Sequence, residues 1–402
     1  MSKTFKTLAI ASIALTAASC QDDGPESSKV TPYKPIELSA DTRSAVEAGN
    51  EFSLGLFKTL PEEENCVISP YSIFSTLSMM ANADEDAARD EILAKFGYSN
   101  GEAGLNALNS YCRTMNNSLS GLDGRVIVKM SNSLWTESEP TSSFLTTLTE
   151  NYNGEWIRKS PKGEVGMAAV NKFVAKNTEN LILEFLTKPL DIDIMLLNTV
   201  YFNGKWQQEI DKDLTKPAKF HNIDGKISTT PFMVADGTFN VFGDDNFTFV
   251  ELPYGSGNFT MTLLMPTDKI AFGDLRQSLS GSRLNKMITD MESIPCTVFL
   301  PKFKTKQKIE LESNLRDMGF NKIFDDRYSN LITGESASLN QLQHATSIEV
   351  DEDGTKAAAA TEAGWFISPG PGSEIRFNSP FIYMIRETST NTILFIGQIT
   401  NF

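Results

Sequence analysis

Apolar positions recur at intervals of three and four through the first quarter of the chain. Ala45, Ala48, Phe52 and Leu56 form one stripe and Ile73, Leu77, Met80 and Ala81 a second, so residues from about 40 to 98 are predicted to be helical. The second stripe begins at Ser69-Pro70, and proline suits a first helical turn. Residues 86–96 predict a further short helix closed by Gly97, and residues 166–176 another. Residues 126–135 alternate between apolar and polar, as a strand does. Residues 195–202 form an almost continuous apolar run broken by Asn198, which predicts a strand buried on both faces.

Strand patterns dominate after Phe220, at 248–253, 259–265, 297–303, 347–350, 374–378, 381–386 and 392–399. Helical periodicity between them is confined to 271–279, 282–291 and 310–318. There is no tandem repeat. Helices first and strands later, without regular alternation, predict an α+β fold.

Composition narrows the function. Forty percent of the 402 residues are hydrophobic and 10% aromatic, enough for a real core. Lys and Arg number 36 against 51 Asp and Glu, a formal charge of −15, which argues against nucleic acid as a partner. With only His221 and His344, no multi-histidine metal site is expected, and no cofactor is implied.

Lys3 and Lys6 precede an apolar stretch over 8–18, too short to span a bilayer and therefore a cleaved signal. Ala17-Ala18-Ser19-Cys20 resembles a bacterial lipoprotein cleavage box, although Ala17 stands where Leu is usual. On this reading residues 1–19 are the signal peptide and Cys20 becomes the lipidated first residue. An ordinary secretory signal with an incidental cysteine is the alternative. Residues 20–43 are polar, acidic and Pro-containing and read as a flexible tether, leaving 44–402 as the folded domain. Diacylation would anchor the tether stably to a membrane. The expected location is the outer membrane or cell surface of a bacterium, with periplasm or secretion as alternatives. Cys66, Cys112 and Cys296 remain, an odd number that implies no disulfide framework and reads as buried small side chains.

The most unusual segment is 354–371, GTKAAAATEAGWFISPGP. With period two, one face carries Thr355, Ala357, Ala359, Thr361, Ala363 and Trp365. The other carries Lys356, Ala358, Ala360, Glu362, Gly364 and Phe366, with both charges. A slim uncharged face and a solvated one suit a strand that slides into a crowded sheet. Alanine is also the best helix former and is depleted in strands, so composition alone favours an exposed helix or linker. The surroundings change that balance.

From residue 45 onwards the chain resembles a serpin. NCVISPYSIFSTLSMM (65–80), LNTVYFNGKW (197–206), ELPY (251–254), LPKF (300–303), EDGT followed by four alanines (352–360), FNSPF (377–381) and LFIG (394–397) stand in family order and spacing. The resemblance implies a serpin fold, with helices around a large central mixed sheet, two smaller sheets and an exposed reactive loop at about 353–373. It implies a hinge at Gly354, Thr355, Ala357, Ala358, Ala359 and Ala360. Ser69, Ser72, Asn198 and His344 are similar to the polar shutter cluster under the sheet, and Trp206, Lys302 and Glu352 to the breach at its top.

The function implied is suicide inhibition of a serine protease through a covalent acyl complex, with cysteine proteases as a wider target class. The inhibitor would itself be a monomer. No Lys or Arg lies between Lys356 and Arg376, which disfavours trypsin-like targets. The family interval from Gly354 puts the scissile bond at Ser368–Pro369. Proline after the bond is unfavourable, so Phe366–Ile367 and Ile367–Ser368 are preferred, suiting chymotrypsin-, subtilisin- or elastase-like pockets. The competing readings are a non-inhibitory serpin and a surface lipoprotein that captures glycans or peptides. An enzyme is disfavoured because no acid–base groups occur at recognisable spacing and no G-x-S-x-G elbow is present.

Overall fold

The computed structural model describes residues 32–84, 87–339, 342–355 and 373–402. Six helices fill the first half: α1 (Ala40–Lys58), α2 (Pro70–Ala81), α3 (Ala87–Lys95), α4 (Glu102–Leu119), α5 (Ser142–Tyr152) and α6 (Gly163–Asn177). Pro70 opens α2, and the Ser69 hydroxyl accepts the Ser72 N–H as its cap. Every residue of α2 is buried, so this helix is core on all sides. The stripes expected over 40–98 lie on α1 and α2. Four short helices follow later, at Phe272–Gln277, Gly281–Thr289, Glu312–Asp317 and Lys322–Asp325.

The strands are β1 (Cys66–Ile68), β2 (Val126–Trp135), β3 (Glu155–Ile157), β4 (Met195–Lys205), β5 (Lys216–His221), β6 (Ile227–Gly243), β7 (Phe247–Tyr254), β8 (Phe259–Pro266) and β9 (Glu292–Pro301). After them come β10 (Phe303–Glu310), β11 (Arg327–Ile332), β12 (Glu335–Ser338), β13 (Gln343–Asp351), β14 (Gly354–Thr355), β15 (Ser373–Arg376), β16 (Phe381–Glu387) and β17 (Ile393–Ile399). They form a six-stranded mixed sheet in the order β10-β13-β14-β4-β2-β3, a nine-stranded sheet β1-β17-β16-β8-β7-β6-β9-β15 with β5 beside β6, and the pair β11-β12. The architecture is α+β, with helices around a large mixed sheet. The two smaller sheets that were expected share one ladder here. The 17-residue β6 pairs with β5 at its start, with β9 along its middle and with β7 at its end.

The single strand expected over 297–303 is two strands. β9 stops at Pro301 and β10 starts at Phe303 in the other sheet, which leaves Lys302 at the seam. β16 and β17 are buried at every position. Arg386 sits inside this block, and a buried cation needs partners. Glu251, Thr262 and Asn391 supply them.

Two boundaries differ from expectation. The tether expected to reach residue 43 gives way earlier, because α1 begins at Ala40 and residues 32–39 already lie against the body. Asn258 donates to the Lys34 carbonyl at 2.6 Å, Ile36 N–H donates to Ser389 Oγ at 2.8 Å, and the Ile36 side chain is buried. The loop expected from 353 likewise starts inside the sheet, because Gly354 and Thr355 form β14.

β14 pairs antiparallel with β13 on one side and β4 on the other. β4 and β13 therefore run parallel. Below Thr355 no ladder among the described residues joins them. Among the described residues no helix is long and apolar enough to cross a membrane.

Candidate functional site

The top of this slot is built around the turn between β13 and β14. Lys302 Nζ donates to Glu352 Oε2 at 2.6 Å, and Thr215 Oγ1 donates to Oε1 at 2.7 Å. Lys302 lies between β9 and β10 with its N–H donating to the Pro231 carbonyl of β6, and Thr215 immediately precedes β5, so the carboxylate ties this turn to the neighbouring nine-stranded sheet. Burial alone would raise the Glu352 pKa. The hydrogen bonds from Lys302 and Thr215 outweigh it and hold the carboxyl below its ordinary value. Trp206, the residue after β4, donates through Nε1 to the Asp351 carbonyl at 2.9 Å. The Trp206 ring lies on Tyr254 with centroids 4.5 Å apart and planes 10° apart. Trp206, Lys302 and Glu352 thus meet around one turn.

β14 is gripped closely. Thr355 is 1% exposed, and its hydroxyl lies 2.6 Å from the Tyr254 hydroxyl. Gly354 has φ +129°, and a Cβ there would sit 2.0 Å from the Gly204 carbonyl oxygen. Both the backbone conformation and the close approach call for glycine.

The second cluster lies lower, beneath β4 and β13. Ser69 N–H donates to His344 Nε2 at 3.0 Å, and the Thr346 hydroxyl meets the same nitrogen. Nε2 is therefore an acceptor and the imidazole is neutral. Burial pushes the His344 pKa down from 6.5 to about 3. Ser69 Oγ donates to the Leu394 carbonyl at 2.8 Å. Ser72 Oγ pairs with Asn198 Oδ1, Asn198 Nδ2 donates to Asn132 Oδ1 at 2.5 Å, and Asn132 Nδ2 donates to the Tyr152 carbonyl at 2.6 Å. Ser69, Ser72, Asn198 and His344 thus share one bonded neighbourhood: the Ser69 N–H holds His344, the Ser72 hydroxyl holds Asn198, and the Ser72 N–H donates to Ser69 Oγ at 3.4 Å between them. His344 lies on β13 and Asn198 on β4, while Ser69 caps α2 and Ser72 lies in its first turn. Ser72, Asn198 and His344 line one cavity with Met195, Leu342 and Gln343.

Polar atoms along the slot lack partners. Thr199 Oγ1 on β4, and Gln343 Oε1 and Ser347 Oγ on β13, are buried without a hydrogen bond. Buried polar side chains are normally paired, so such atoms need an explanation.

Ala357, Ala358, Ala359, Ala360, Phe366, Ile367, Ser368 and Cys20 lie outside the described residues. Tyr254, Thr346, Asn132, Thr215 and Lys212 were not singled out from sequence. Tyr254 closes the ELPY motif and Thr346 shares the face of His344 by alternation, so both carried a usable signal. Thr215 and Lys212 lie in a stretch without periodicity.

A family model described as Serpin (serine protease inhibitor) matches residues 47–402. The chain belongs to the serpin family. Iripin-8 of the tick Ixodes ricinus is 27% identical over 381 residues, covering 90% of this chain and 95% of its own length. The crystal structure of the thermophilic serpin tengpin in its native state superposes with a TM-score of 0.81 at 24% identity, covering 93% of this chain and 97% of tengpin. A thyroxine-binding globulin complexed with thyroxine gives a TM-score of 0.79 at 20% identity, over 89% of this chain and 98% of its own. These two likenesses establish the fold alone.

The match also corrects one expectation. The statement that the chain is not an enzyme rested on missing acid–base spacings, and those carry no weight either way. What the match supplies instead is membership of a family described as inhibitors of serine proteases.

Proposed function

We propose that this serpin is a suicide-substrate inhibitor of serine proteases with apolar specificity, of elastase, chymotrypsin or subtilisin type. The protease serine attacks a carbonyl within 366–368. The peptide bond breaks, the new amino terminus leaves, and an ester joins the loop to the protease. The freed N-terminal part of the loop then enters the slot between β4 and β13 as a strand and drags the protease with it. Insertion adds on the order of ten ladder hydrogen bonds at about 0.5–1.5 kcal/mol each. That is on the order of 10 kcal/mol, comparable to the stability of a whole domain.

One observation carries the reading. The slot is already occupied at its top by Gly354 and Thr355, and the next residues in sequence are the slim Ala-lined run. The unpartnered Thr199, Gln343 and Ser347 atoms on the banks support it, since an entering strand would meet them. Incubation with elastase and with chymotrypsin should give a complex that survives detergent on a gel. Mass spectrometry of the released C-terminal peptide should find a new N terminus at Ile367, Ser368 or Pro369. Another terminus overturns the cleavage assignment. Clean cleavage without a complex favours the non-inhibitory alternative.

We further propose that this is a bacterial lipoprotein, monomeric and held at the outer membrane or cell surface through Cys20, with residues 1–19 removed. Support comes from the basic, apolar and small-residue order ahead of Cys20. Labelled fatty acid should enter the wild type and be lost on Cys20→Ala.

A further inference from the structure

The turn between β13 and β14 is also held by a second, separate element, the stretch just ahead of β5. A 3-10 turn spans Lys212–Leu214 and is itself well tied: Asp211 Oδ1 accepts Asp213 N–H at 2.9 Å, and Thr215 N–H donates to the Lys212 carbonyl at 3.2 Å. From this one turn two side chains reach two adjacent carboxylates. Thr215 holds Glu352, and Lys212 Nζ lies 2.7 Å from Asp353 Oδ2. The next two residues, Gly354 and Thr355, are the ones seated between β4 and β13.

We propose that the 211–215 turn is a latch on the hinge, with Lys212 as its electrostatic element, keeping Gly354 and Thr355 seated in the slot before any protease arrives. Seating keeps the two banks one strand apart, so the rest of the loop enters a sheet already parted at its top. Released, the two residues withdraw and insertion must separate the strands first. The contributions divide by exposure. The Thr355 contact is buried and the Glu352 side chain is 6% exposed, so these contacts are less sensitive to salt. The Lys212 side chain is 54% and the Asp353 side chain 30% exposed, so their attraction is screened by ions. Lys212 is thus a positioning residue, and seating weakens as ionic strength rises.

The test uses the uncleaved full chain. Hydrogen exchange at the amides of Gly354 and Thr355 reports seating directly. At about 0.01 M salt, where the Debye length is about 30 Å, Lys212→Glu and Asp353→Lys should each speed this exchange about two- to fivefold. The double variant should restore the wild-type rate. At about 1 M salt, where that length is about 3 Å, wild type and single variants should converge. Unchanged exchange in both single variants, or a double variant as fast as the singles, overturns the latch.

A kinetic arm rests on the inhibitor reading. Each single variant should need more inhibitor per protease trapped, and the double variant should recover. Exchange that follows the expected pattern while no variant traps a protease leaves the latch standing and overturns the inhibitor reading instead.

Discussion

Thr355, Gly354 and His344 each give a test. Thr355 leads, and its seat is a 1% exposed site with one hydroxyl partner. Thr355→Arg puts a charge where no counter-charge waits, at a cost of several kcal/mol. Insertion should slow and the protein should be cut and released as a substrate. Detergent-stable complexes at wild-type stoichiometry would contradict the insertion reading. Gly354→Ala acts on the backbone instead. The added methyl meets a carbonyl oxygen at φ +129°, so exchange at 354 and 355 should rise even though no charge changes. His344 gives a pH signature. Its folded pKa of about 3 lies below its unfolded value of 6.5, so the folded state binds the proton less readily. Stability is fully present above about pH 6.5 and is lost as pH falls towards 3. His344→Asn should reduce the slope of stability against pH in that window by about one proton. An unchanged slope would mean that His344 is not held neutral by burial.

At the level of elements, the decisive feature is the seam at Lys302. The chain leaves the nine-stranded sheet after Pro301 and joins the six-stranded one at Phe303, so Lys302 meets the hinge turn from the β10–β13 side. Removing it with Lys302→Ala takes the cation from a carboxylate that is 6% exposed and leaves the Thr215 hydroxyl as a side-chain partner. Lys302 is itself 37% exposed, so the loss should be about 1–3 kcal/mol, read as a lower urea midpoint. The strap over residues 32–39 is an element too, and sequence did not reveal it. Its composition is that of a tether, while its order comes from Asn258 and Ser389, 224 and 353 positions away. Local pattern worked best where burial is uniform. β16 and β17 were expected at 381–386 and 392–399 and lie at Phe381–Glu387 and Ile393–Ile399. It failed for β6, a 17-residue strand whose faces change partner along its length, so that no single alternation holds. α4 was missed although Leu105, Leu108, Cys112, Met115 and Leu119 do repeat at three and four and are buried.

The whole molecule carries the energetic consequence. On the inhibitor reading, the intact protein is not the most stable arrangement of this chain, and cleavage within the loop lets a further strand add between β4 and β13. The nicked protein should therefore melt about 10–20 °C above the intact one, given on the order of 10 kcal/mol of new pairing. Equal melting temperatures would refute the metastability on which the inhibitor reading depends.

Sequence alone determined the elements whose periodicity is local, the order of motifs that resembles the family, and the small uncharged face that follows Thr355. The resemblance, in turn, implied one group of Ser69, Ser72, Asn198 and His344 and another of Trp206, Lys302 and Glu352. Only the tertiary structure decided that β4 and β13 stand parallel with β14 between them, that Ser69 and Ser72 link His344 to Asn198, and that Lys302 and Thr215 meet on one carboxylate. The reason is distance along the chain. Glu352 meets Thr215 across 137 positions and Lys302 across 50, and contacts of that reach leave no periodic trace in the residues between.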